Sequence, residues 1–103
     1  MKKFFVYCYE WEDGTVYIGR SNRNTKRFNN PRCYKPNPWL YEAMTTKPYK
    51  AWIVFESDDI WKVGKVEAWL IQCTYNHSFN INKETNWKYH IQKYIDRYLT
   101  NNN

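Results

Sequence analysis

Residues 12–14, Glu12-Asp13-Gly14, stand between two β-rich stretches, and a glycine that closes a short polar run in that setting signals a hairpin. Tyr7 and Tyr17 then lie on paired strands. Register decides whether they can cooperate, because side chains alternate across a strand and opposed residues share a face. If Asp13-Gly14 alone makes a two-residue turn, Tyr9 opposes Ile18, and Tyr17 shares a face with Val6 and Cys8. If all three residues form the loop with Gly14 left-handed, Tyr9 opposes Tyr17 and Tyr7 opposes Gly19. Phe4, Val6, Cys8, Val16 and Ile18 then occupy the other face. The second register separates purely apolar residues from tyrosines and is preferred. The plainer alternative is an ordinary two-sided hairpin that uses tyrosine as a good β-former.

The rest of the chain must cover that hairpin. With 103 residues there is material for one domain, residues 1–103, with 100–103 as a frayed tail. After the hairpin, Ser21 or Asn22 would cap a short helix carrying Arg23, Lys26 and Arg27, ended by Asn29-Asn30-Pro31. Residues 31–38 hold three prolines and read as a loop, followed by a short helix over 39–46. The apolar run 51–55 is too short for a helix and reads as a buried strand completing a small sheet. Ser57-Asp58-Asp59 supplies an N-cap and negative charge for a helix from Ile60 to about Thr74. Residues 75–83 read as turn-rich with a short extended piece at Phe79-Asn80-Ile81-Asn82. Residues 87–99 carry apolar side chains at helical spacing and read as a terminal helix. The fold class expected is α+β, a small three-stranded antiparallel sheet flanked by helices.

The net charge of +6 and pI near 9.2 favour an anionic partner, nucleic acid above all. Arg20, Arg23, Lys26, Arg27, Arg32 and Lys35 follow one another with no acidic residue among them and with asparagines interleaved. Such a run would track phosphates in a salt-dependent way; as plain structure it is a solvated helix and loop. Cys8, Cys33 and Cys73 are few, odd in number and widely spaced, which fits reduced thiols in an intracellular, cytoplasmic protein. A zinc site of Cys33, Cys73 and His77 lacks the usual close ligand pairs. No apolar run approaches a membrane span, so no membrane partner is expected.

Glu67 falls inside the apolar arc of the 60–74 helix, with Ile60, Val63, Leu70 and Ile71 as its neighbours one turn away. A solubilising glutamate belongs on the other side, with Lys62, Lys65 and Gln72. A carboxylate in that arc needs a cation, a metal or a donor network. The structural alternative is a salt bridge to one of the arginines.

Taken in order, these residues resemble the GIY-YIG endonuclease family, which includes homing endonucleases, restriction enzymes and the incision domain of bacterial excision repair. The resemblance covers residues 4–82. Tyr17-Ile18-Gly19 matches the second tripeptide outright; Phe5-Val6-Tyr7 keeps the tyrosine of the first, with Phe5 in place of glycine. Arg27 follows Tyr17 at the family's distance, Glu67 lies in a Val-Glu-x-x-Leu-Ile context, and Phe79-Asn80 resembles a later Tyr-Asn. The resemblance implies a DNA endonuclease that hydrolyses phosphodiesters with one divalent metal, Mg2+ or Mn2+, held by Glu67 with most of its waters retained. It implies Arg27 on the scissile phosphate, Tyr7 as general base, Tyr17 positioning water or phosphate, Gly19 admitting substrate near the backbone, and Asn80, with Asn82 as its rival, supporting the site. Arg20, Arg23, Lys26, Arg32 and Lys35 would bind nucleic acid. Sequence preference would come from the 31–38 loop, the terminal helix, homodimerisation or a recognition partner. The first alternative is a catalytically inert nucleic-acid-binding module on the same fold. A protein-interaction domain using exposed aromatics is the second.

Overall fold

In the computed structural model, Gly14 takes a φ of 89°, the left-handed conformation that closes the first turn. The Gly14 N–H donates to the Trp11 carbonyl at 3.1 Å, and the Trp11 N–H donates to the Thr15 carbonyl at 2.9 Å. Glu12, Asp13 and Gly14 are therefore the loop. The strands it joins, β1 (Phe4–Trp11) and β2 (Val16–Ser21), pair with Tyr9 opposite Tyr17 and Tyr7 opposite Gly19. This is the register that gathers the tyrosines on one face.

The structure describes residues 4–21, 28–80 and 87–101, with backbone only for 76–80. After β2 come a 3-10 helix (Pro31–Tyr34), α1 (Pro38–Thr46), β3 (Tyr49–Ser57), α2 (Ile60–Asn80) and α3 (Trp87–Asn101). β1 is central in an antiparallel sheet of order β2-β1-β3. The chain is thus an α+β fold, a small three-stranded antiparallel sheet flanked by helices. The helix expected over residues 22–27 lies outside the described residues. Among those described, no helix is long and apolar enough to cross a membrane.

Each face of the sheet has its own core. Val6, Cys8 and Ile18 meet Val63, Val66 and Leu70 of α2 and Trp87, Ile91 and Ile95 of α3. Full burial of side chains of that size stabilises by about 1.5–3 kcal/mol each. On the opposite face Phe5, Tyr7, Tyr9 and Trp11 meet Tyr34, Leu40 and Met44. Asn37 caps α1 by accepting from the Leu40 N–H at 3.3 Å, with Pro38 in the first turn where its missing N–H costs nothing. Asp59 caps α2, accepting from Trp61 and Lys62.

Several boundaries differ from the expectations. α2 does not stop near Thr74 but runs to Asn80, because residues 75–80 contain no glycine or proline to end it. The extended piece expected at Phe79-Asn80 is therefore helical, and residues 81–86 lie outside the described residues. The 31–38 loop is largely organised, with a 3-10 turn that Asn30 caps. β3 is longer than 51–55 and is an outer strand, only partly buried. It bulges where Val6 pairs with Phe55 and Tyr7 with Ile53, leaving Val54 as the extra residue. α3 continues to Asn101, through part of the stretch expected to fray.

Candidate active site

The tyrosine layer is built by β1, β2 and the 3-10 helix. Tyr7 and Tyr9 project from the same face of β1, Tyr17 from the facing position on β2. The Tyr7 and Tyr17 ring centroids are 6.5 Å apart, and Tyr9 stacks on Tyr17 at 5.8 Å and 20°. Tyr34 reaches in from the 3-10 helix and is edge-on to both Tyr9 and Tyr17. Its hydroxyl bonds to that of Tyr7 and, at 3.1 Å, to that of Tyr9. The Tyr9 oxygen also accepts from the Asn29 N–H at 2.6 Å, and the Tyr49 hydroxyl donates to Asn29 Oδ1. Burial pushes the Tyr34 phenol well above the ordinary value of 10.0, and its bonds to Tyr7 and Tyr9 push it further. Burial raises Tyr9 as well. Tyr34 thus keeps its proton, and its hydroxyl, with one hydrogen to give, sits between those of Tyr7 and Tyr9.

Gly19 serves this layer directly. A Cβ on Gly19 would lie 2.5 Å from Cζ and Oη of Tyr7. The space that glycine leaves on this face is filled by the Tyr7 ring. Tyr7 is completely buried, whereas Tyr17, on the outer strand, keeps partial exposure.

Glu67 lies on the opposite side of the sheet. α2 presents it toward Arg20 of β2, with Nε and Oε1 3.8 Å apart and the two side chains 38% and 23% exposed. Among the described residues, Arg20 is a cation beside that carboxylate. A loose, partly hydrated pair of this kind contributes about 0–1 kcal/mol to stability. The structure thus brings Tyr7 to Tyr17 and Arg20 to Glu67, but on two faces that meet along β2, an outer strand of the sheet. Arg32 and Lys35 are exposed on either side of buried Tyr34. The basic run is consequently divided, Arg20 on the α2 face and Arg32 and Lys35 beside the tyrosine layer. Arg23, Lys26, Arg27 and Asn82 lie outside the described residues, as does the side chain of Asn80.

No protein-family model, curated protein or solved structure matches the chain. The site must therefore be judged on its own chemistry. Among the described residues no three His, Cys, Asp or Glu side chains gather. A divalent ion would take Glu67 as its protein oxygen and fill the remaining positions with water, a mode that suits Mg2+. Glu67 is partly exposed, and an ion there would have to share the carboxylate with the Arg20 guanidinium. None of the three cysteines is in a disulfide; Cys8 is buried with its thiol pushed upward by desolvation, Cys33 is exposed and Cys73 lies between.

Tyr34 and Tyr9 are the members of the network that the sequence pattern did not single out. Tyr34 sits in the proline-rich segment read as a loop. Tyr9 alternates with Tyr7 along β1, which was the available signal.

Proposed function

We propose that the chain is a divalent-metal-dependent endonuclease acting on DNA. What supports this reading is the Glu67–Arg20 pair beside β2, a carboxylate and a guanidinium 3.8 Å apart and both partly exposed, with the tyrosine layer across the sheet and nearest to it at the β2 edge. Glu67 would hold Mg2+ or Mn2+, and the bound ion would supply Lewis-acid stabilisation of the phosphate charge and an activated water. Tyr17, at the exposed edge, orients water or a phosphate oxygen. Tyr7, buried on the opposite face and bonded to Tyr34, would act as base on such a water only if the tyrosine layer opened at the β2 edge. Arg20 places a guanidinium beside the Glu67 carboxylate, suited to a phosphate oxygen. Arg27 keeps the phosphate-clamping role that the resemblance implies. The basic surface supplies sequence-independent affinity.

A nicking assay on supercoiled and branched DNA, with and without Mg2+, tests this. Wild type should cut only with metal, and Glu67→Gln should abolish cutting while binding and the melting temperature persist. Broadening of Mn2+ relaxation by wild type, lost in Glu67→Gln, reads metal binding without turnover. If wild type binds nucleic acid yet leaves every DNA and RNA uncut, the nuclease reading fails. The complete burial of Tyr7 and the Arg20–Glu67 pair then favour the inert binding module.

A further inference from the structure

Beside Glu67, α2 carries a stripe that faces away from the core. At 3.6 residues per turn, Trp61, Gly64, Ala68, Ile71 and Tyr75 fall within an arc of about 80°. Trp61 is 80% exposed, Tyr75 68% and Ile71 47%, although Val63, Val66 and Leu70 of the same helix are fully buried. Large apolar side chains left in solvent along one line, with charge at their margin, mark a surface that meets a partner. Arg20 lies across the stripe, since a Cβ on Gly64 would come 2.8 Å from its Nη1. Lys65, about 40° round the helix from Trp61, is exposed on that flank.

We propose that this stripe is a stacking platform for single-stranded DNA. Unpaired bases would lie on Trp61 and Tyr75, and Arg20 and Lys65 would follow the phosphates. Aromatic faces interleaved with cations accept any base, which fits a chain of net charge +6. A second copy of this chain is the poorer occupant, because a two-fold contact there would bring the same cations together. Trp61 and Tyr75 are fourteen residues apart, about 21 Å along the helix axis, the length of about six stacked nucleotides at ~3.4 Å each. Gly64 and Ile71, one turn either side of Glu67, hold that path against the Glu67 carboxylate. The inference rests on the nucleic-acid reading above and gives it a substrate class, DNA with an unpaired segment such as a flap, fork or bubble.

Fluorescence anisotropy of the full chain with a labelled thymidine oligonucleotide of about 16 nucleotides, and with a duplex of equal length, tests it. Wild type should prefer the single strand. Trp61→Ala and Tyr75→Ala should each weaken single-strand binding about tenfold and change duplex binding less than about twofold, with unchanged unfolding midpoints. Unaltered single-strand affinity in both variants, an equal loss on duplex, or a wild-type dimer that Trp61→Ala dissolves would overturn the proposal. The measurement needs neither metal nor cleavage. A chain that binds single strands through Trp61 but cuts nothing loses the nuclease reading alone; one that cuts without single-strand preference loses only this proposal.

Discussion

Replacing Gly19 by alanine tests how rigid the tyrosine layer is. The new methyl would sit 2.5 Å from Cζ and Oη of Tyr7 and 2.6 Å from Cε1, against an ordinary carbon separation of about 3.5–4.0 Å. Tyr7 has little room to retreat. Its ring centroid is 5.1 Å from that of Tyr9 and 5.5 Å from that of Phe28, and its hydroxyl is tied to Tyr34. Overpacking of this kind costs about 1–3 kcal/mol, and disturbing the hydroxyl bond adds about 1 kcal/mol. Gly19 has no positive φ, so alanine suits its backbone and returns about 0.4–1 kcal/mol by restricting the unfolded chain. The net loss is about 2 kcal/mol, or a fall in Tm of roughly 10 °C for a domain of this size. Urea unfolding followed by circular dichroism should be measured for wild type, Gly19→Ala, Tyr7→Leu and the double variant. With the ring gone the methyl has space, and the alanine should then cost less than about 0.5 kcal/mol. An equal cost in both backgrounds, or a cost below about 0.5 kcal/mol in wild type, would refute steric accommodation as the role of Gly19.

Gly14→Ala forces an L-residue to a φ of 89° and should cost about 1–2 kcal/mol in urea unfolding. Tyr9, Tyr34 and Tyr49 all have raised folded-state values, so above about pH 10 the unfolded chain releases phenolic protons that the folded chain retains. Their contribution is complete below about pH 10 and is lost as pH rises beyond it; a urea midpoint series should fall there, less steeply in Tyr34→Phe. Trp87→Phe removes the indole N–H that donates to the Gly14 carbonyl at 2.7 Å. It should cost about 1–3 kcal/mol and speed amide exchange at Gly14 relative to Val63.

The hairpin was readable because one glycine, with three-residue loop chemistry, fixes the pairing of every residue on β1 and β2. The Asp59 cap and the start of α2 were readable for the same reason, a local signal at a fixed offset. The end of α2 was not, because residues 75–80 are polar without being helix breakers and nothing local stops the helix. Tyr34 was hidden by its prolines: they mark a turn, but only the packed structure shows that the turn delivers a phenol to Tyr7. Periodicity identified Glu67 as needing a partner, and the structure supplies Arg20. That Glu67 and Tyr17 face opposite sides of the sheet depends on where α2 docks, which no single-helix pattern encodes.

The bond from Trp87 to the Gly14 carbonyl joins residues 73 positions apart. One whole face of β1 waits for Trp87, Ile91 and Ile95, about eighty residues further along the chain. Val6, Cys8 and Ile18 therefore stay without half of their cover until α3 has docked. Closure over such separations is slow compared with local helix formation, so this core closes only when α3 docks, later than either helix forms locally.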